Sequence, residues 1–117
     1  MKSPDEKLLS KVIDIVNQNI GNHALNVEML AREIGISRVH LHRKLKALTN
    51  QSTRDFIRNI RLHQAANLLS EKYMNISEVA FAVGFNNVAH FSNAFKEFYG
   101  ESPKSYMEAY RKAQENA

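Results

Sequence analysis

The stretch NVEMLAREIGISRVHLHRKLKAL, Asn26 to Leu48, returns further along the chain as NISEVAFAVGFNNVAHFSNAFKEF, Asn75 to Phe98. Asn26-Val27, Leu30-Ala31 and Ile34-Gly35-Ile36 match Asn75-Ile76, Val79-Ala80 and Val83-Gly84-Phe85 at an offset of 49. After the glycine the offset becomes 50: His40-Leu41, Leu45-Lys46 and Leu48 match His90-Phe91, Phe95-Lys96 and Phe98. The register then holds from Asn50-Gln51-Ser52 and Phe56-Ile57 to Gly100-Glu101-Ser102 and Tyr106-Met107. One residue has been added in the second tight turn. Two copies are too few for a solenoid, which needs about three stacked repeats. A short helix, a glycine-containing turn and a second helix, present twice, fit a duplicated helix-turn-helix.

Working outward, the periodicity is helical nearly throughout the 117 residues, with only four glycines and two prolines as punctuation. Ser3-Pro4 reads as the cap and first position of a helix reaching about Asn19, with Leu8, Leu9, Val12, Ile13 and Val16 on one stripe. Asn26 caps a helix from Val27 to Ile34, and Ser37 caps one from Arg38 to about Leu48. Asn50 stands where a left-handed cap residue is expected. Ser52 opens a long helix to about Leu69, with Phe56, Ile57, Ile60, Ala65, Ala66, Leu68 and Leu69 inward. Asn75-Ile76-Ser77-Glu78 has the form of a capping box and starts a short helix ending at Gly84. Helices from Asn87 to Tyr99 and from Ser102-Pro103 towards the end complete an all-α reading of seven helices. The domain expected over 1–117 divides into a first helix-turn-helix subdomain at about 5–51, a linking helix at about 52–70 and a second subdomain at about 71–112.

In each copy the second helix has two faces. Leu41, Leu45 and Leu48, and likewise Phe91, Phe95 and Phe98, recur at core spacing; Tyr73, Phe81, Phe85, Tyr99 and Tyr106 are also expected in the core. Opposite the stripe stand Val39, His42, Arg43 and Lys46, which the repeat carries onto Ala89, Ser92, Asn93 and Lys96. A helix fits the major groove, about 12 Å wide. There Arg43 can grip guanine O6 and N7, Asn93 adenine N6 and N7, and Val39 or Ala89 a thymine methyl. Lys46 and Lys96, one turn along, suit phosphates. The alternative is a solvated face without a partner, although Val39 and Ala89 are small apolar residues on it.

Charge separates these readings further. The formal net charge is +4, but residues 38–61 alone carry +6: Arg38, Arg43, Lys44, Lys46, Arg54, Arg58 and Arg61 against Asp55. The flanking segments, 1–37 and 62–117, are each at −1. A basic patch on a balanced chain points to a polyanion. Arg54, Arg58 and Arg61 recur near helical spacing on the linking helix, where they either line DNA between the two readers or pair with acids.

Other chemistry finds little support. The chain has no cysteine, which excludes disulfides, zinc fingers and thiol catalysis. His40 and His42 lie on different helix faces and are not placed as a metal pair; no metal is expected. His40 and His90 repeat beside core residues, which favours packing over ligation. Neither a phosphate-cradling glycine loop nor a catalytic triad stands out, so an enzyme is not expected and no cofactor is implied. The first residues lack the apolar core of a signal peptide, and no apolar run approaches the ~18 residues of a membrane span. A cytoplasmic protein without membrane contact is the expectation.

From about Asn26 to Tyr110 the chain resembles the DNA-binding domain of the AraC family of bacterial transcription regulators. The resemblance rests on Ile76-Ser77-Glu78-Val79-Ala80, Val83-Gly84-Phe85, His90-Phe91-Ser92, Phe95-Lys96, Tyr99-Gly100, Ser102-Pro103 and Tyr106. It rests also on Leu30-Ala31, Ser37-Arg38, Leu41, Arg43, Leu45-Lys46 and the linking Arg61-Leu62, Ala65, Leu68-Leu69. The wording around Arg38–Lys46 and Gly84–Phe91 is similar to the C-terminal output domain of Bacteroides-type hybrid two-component regulators. The resemblance implies two recognition helices in successive major grooves. It implies base-facing Val39, His42 and Arg43, and Val88, Ala89, Ser92 and Asn93. Arg38, Lys46, Lys96, Arg54, Arg58 and Arg61 are assigned to the DNA backbone. Many members carry arginine where this chain has Asn93, so a second reader of different strength or specificity is implied. The partners expected are double-stranded DNA, sensor or receiver domains of a longer parent protein and, as a candidate, RNA polymerase. Two rivals stand beside this. One is a helical protein-docking module using the Val39 and Val88 faces; the other is an RNA binder, although aromatic stacking platforms are lacking.

Overall fold

A computed structural model of the chain describes residues 2–71 and 73–116. Among them are seven helices and no strand: α1 (Pro4–Gln18), α2 (Val27–Ile34), α3 (Arg38–Thr49), α4 (Thr53–Leu69), α5 (Ile76–Ala82), α6 (Val88–Tyr99) and α7 (Pro103–Glu115). The boundaries follow side chains that satisfy the first N–H groups of a helix. Asn26 Oδ1 accepts from Met29 N at 2.9 Å, and Ser37 Oγ from His40 N at 3.0 Å. Asn75 and Glu78 form the reciprocal capping box, at 2.8 and 3.0 Å. Asn50, at φ 60°, ends α3 as a left-handed residue, and Gly100 takes its place after α6.

The chain forms two compact units, residues 1–20 with 24–60 and residues 21–23 with 61–117, and the division falls inside α4. In the first unit α1 packs on α2 and α3. Val12, Val16, Leu30, Leu41 and Leu45 are fully buried there, joined by Leu25, Ala31 and Ile57. This core is aliphatic, and each fully buried leucine or valine contributes about 1.5–3 kcal/mol. The turn between α2 and α3 needs Gly35 at φ 86°, which places Ile36 N 3.2 Å from Ala31 O.

The second unit repeats this turn with larger residues around it. Gly84 stands at φ 93°, and Phe85 N bonds Ala80 O at 3.0 Å. Phe91 and Phe95 are fully buried, and ring contacts run from Phe85 through Phe91 and Phe95 to Tyr99 and Tyr106. His90 sets its ring edge-on to Phe85 at 5.7 Å, a packing role. Arg111 Nη2 ties the segment before α5, donating to Glu71 O at 2.7 Å and Met74 O at 3.1 Å.

Several expected core residues lie elsewhere. Leu48 and Phe98 are 37% and 47% exposed, because the last turns of α3 and α6 run past the packed layer. Phe81 is 53% exposed: the buried face of α5 is Val79, Ala80 and Val83, and Phe81 points off it. Tyr73 is 85% exposed, in the segment ahead of α5 where no helix covers it.

The Arg61 assignment to the DNA backbone is also overturned. Arg61 is buried, its Nη1 donating to Val83 O at 2.6 Å and its Nη2 to Asn22 O at 2.9 Å. Burial pushes its guanidinium pKa below the usual arginine value. A side chain spent on these carbonyls fixes the α5 end and the 21–23 segment of its own unit and does not reach a surface phosphate.

Candidate nucleic-acid interface

Burial of Leu41 and Leu45 fixes the orientation of α3 within its unit, so the opposite face is open. Val39 is 59% exposed, and Arg38, His42, Arg43 and Lys46 are exposed with it. The four stripe residues therefore share one outward face, as the spacing i, i+3, i+4, i+7 requires. Lys46 Nζ lies 3.4 Å from Asn50 O, at the C-terminal end of the helix, where a cation is favoured by the helix dipole.

In α6 the buried Phe91, Ala94 and Phe95 set the same orientation. Ala89, Asn93 and Lys96 are exposed, whereas Val88 and Ser92 are half-buried. The second face is thus narrower and carries Lys96 as its only cation. Two residue types that read base edges, an arginine and an asparagine, stand at the same place on the two helices.

The structure also brings together residues that the sequence treats apart. Arg38, Val39 and His42 of α3 and Arg54 of α4 line one groove with Glu28 of α2 and Thr53 of α4. Arg38 Nη1 is 3.4 Å from Glu28 Oε1, an exposed pair of small energetic value. Arg58 is half-buried and 3.6 Å from Asp55, which takes up part of its charge. Lys44 pairs with Asp5 at 3.4 Å. Of the basic segment, Arg43 and Arg54 remain as exposed guanidiniums for which the described residues offer no ion pair. Glu28 and Thr53 escaped the sequence reading; the one signal for Thr53 is that the repeat puts Pro103 in its place.

Among the described residues no group of three or more His, Cys, Asp or Glu is placed to hold a metal ion. No helix among them is long and apolar enough to cross a membrane.

A family model described as a helix-turn-helix domain matches residues 30–109, more than half of the chain. The chain belongs to the AraC-type helix-turn-helix family of transcription regulators. It is 39% identical over 110 residues to histidine kinase P4 of Formosa agariphila, a match covering 94% of this chain and 8% of that protein. Two further curated transcription regulators are spanned over 37% and 24% of their lengths. Among solved structures, the C-terminal domain of AraT, a response regulator from Geobacillus stearothermophilus, has a TM-score of 0.81 at 28% identity, covering 92% of this chain and 88% of that one. The DNA-binding domain of AdpA, solved in complex with a target DNA, superposes with a TM-score of 0.81 at 24% identity over 99% of this chain and all of that one, a likeness of fold. The chain is therefore an AraC-type DNA-binding domain of transcription regulators, with α2–α3 and α5–α6 as its helix-turn-helix pairs.

Proposed function

We propose that the domain is the sequence-reading output module of a longer bacterial regulator, acting in the cytoplasm and carrying out no chemistry of its own. α3 and α6 enter successive major grooves of double-stranded DNA. Val39, His42 and Arg43 meet bases from the first helix; Val88, Ala89, Ser92 and Asn93 do so from the second. Arg38, Lys46, Lys96, Arg54 and Arg58 contact phosphates. The observation that carries this reading is the exposed α3 face, where Val39, His42 and Arg43 share an open side with Arg54 close by. A solvated helix face has no need of an exposed valine beside an unpaired arginine. Sensor or receiver domains supply the signal in the parent protein, in keeping with the kinase and response-regulator relatives, and RNA polymerase is the candidate partner downstream.

Selection of bound sequences from a pool of random duplex DNA tests the reading. The expected product is a bipartite site whose halves lie about one helical turn, near 34 Å, apart, occupied by one protein molecule. Affinity should fall steeply with salt, as counterions released from phosphates are recaptured. Enrichment of no sequence, with salt-insensitive binding to a protein surface instead, would favour the docking module.

A further inference from the structure

The groove of the first unit, between the N-terminal ends of α2, α3 and α4, contains a buried hydroxyl that nothing on its own chain satisfies. Thr53 is 2% exposed, and its Oγ1 has no hydrogen-bond partner. The reason is local. Thr53 is the first residue of α4, so the backbone groups around it are N–H donors. Ser52 Oγ already takes Asp55 N, at 3.1 Å, and the first intrahelical bond is Phe56 N to Ser52 O. The N–H groups of Thr53 and Arg54 thus stand ahead of the helix ladder. A hydroxyl among donors lacks an acceptor, and an acceptor shared by all of them has to come from outside.

We infer that this groove seats one phosphate of the DNA backbone, held by the α4 N-terminus, the Thr53 hydroxyl and Arg54. This rests on the DNA-binding reading above and assigns a ligand to residues that reading leaves idle. An anion at a helix N-terminus meets converging N–H groups and the positive end of the dipole. The hydroxyl reaches it by turning to another staggered χ1 well. Arg54 lines the same groove, is exposed and has no acid partner among the described residues, so its charge is available. Glu28, the one acid on the groove wall, is offset by Arg38 at 3.4 Å. The second repeat lacks these features: Pro103 occupies the matching position, with neither hydroxyl nor N–H, and Lys104 replaces Arg54. The seat therefore belongs to the first repeat alone and anchors the helix-turn-helix that carries Arg43.

The test uses the 117-residue chain and a duplex that the chain itself selects from a random pool. A series of such duplexes each carries one neutral methylphosphonate. At one phosphate the substitution should lower wild-type affinity about tenfold, the size of a lost charge-assisted contact. Thr53→Pro, which copies the second repeat at a position where proline is tolerated, should lose that sensitivity and keep it elsewhere. Arg54→Gln, on the exposed side, should lose most of it as well. Identical sensitivity profiles for wild type and both variants would overturn the seat while leaving DNA binding intact. A wild-type chain that binds no duplex would overturn the functional reading with it. Inorganic phosphate offers a separate arm. Amide shifts at Thr53 and Arg54 with millimolar phosphate, combined with a flat methylphosphonate series, would make the groove a free-anion site and reject the DNA backbone as its ligand.

Discussion

The two repeats share a backbone and differ in what fills and faces it. The first closes around valine and leucine from α1, α2, α3 and the start of α4; the second closes around phenylalanine and tyrosine rings. The positions correspond one to one, Leu41 to Phe91 and Leu45 to Phe95, so the same turn is compatible with two volumes of core. The extra residue between Gly84 and α6 falls where the larger ring of Phe85 is accommodated. On the outer side the contrast is electrostatic: α3 and the start of α4 carry the exposed cations, while α6 offers amide and hydroxyl. One helix-turn-helix is built to grip, the other to fit closely.

The largest effects should come from the cores. Phe91→Ala should destabilise by about 3–5 kcal/mol and Leu41→Ala by about 2–5. Their order, measured by urea unfolding of the single variants, tests whether the aromatic unit depends more heavily on individual side chains. Equal losses would remove that distinction. Arg61→Ala leaves the carbonyls of Val83 and Asn22 without their donor, and the cost should be on the order of 2–3 kcal/mol, with Arg61→Lys recovering part of it. If Arg61→Ala instead leaves stability intact and weakens DNA binding in a salt-dependent way, the buried anchor is the wrong role. Smaller again, Lys46→Ala and Lys96→Ala should weaken binding to selected and random duplexes alike. Each should flatten the slope of log K against log salt by about 0.9. A loss confined to one base position would reassign that lysine to base reading.

The helices were legible in the sequence because their punctuation is local. Asn26, Ser37, Asn75 and Ser102 each cap a helix through their own side chain, and Asn50 ends one by accepting a left-handed backbone. The repeat located the two outward faces for the same reason, since Leu41 and Phe91 turn them outward by being buried. What escaped depends on neighbours distant in sequence. Arg61 sits in helical phase with Arg54 and Arg58, and only the fold brings Val83 and Asn22 to its guanidinium. Phe81 and Tyr73 have the hydrophobicity of core residues without an element to cover them. Thr53 belongs to a groove made by three helix starts, none of which announces the others.

The central claim is that the first repeat dominates sequence reading. A charged bidentate arginine contact is stronger than a neutral amide one, and each good base pairing discriminates by about 1–3 kcal/mol. The direct measurement is the affinity of wild type, Arg43→Ala and Asn93→Ala on one matched set of single-base variants of the selected duplex. Arg43→Ala should erase preference at one or two base pairs of the first half-site, containing guanine, and cost about 1–3 kcal/mol there. Asn93→Ala should cost less, at an adenine. A more damaging Asn93→Ala, or an Arg43→Ala that keeps every base preference, would contradict the account.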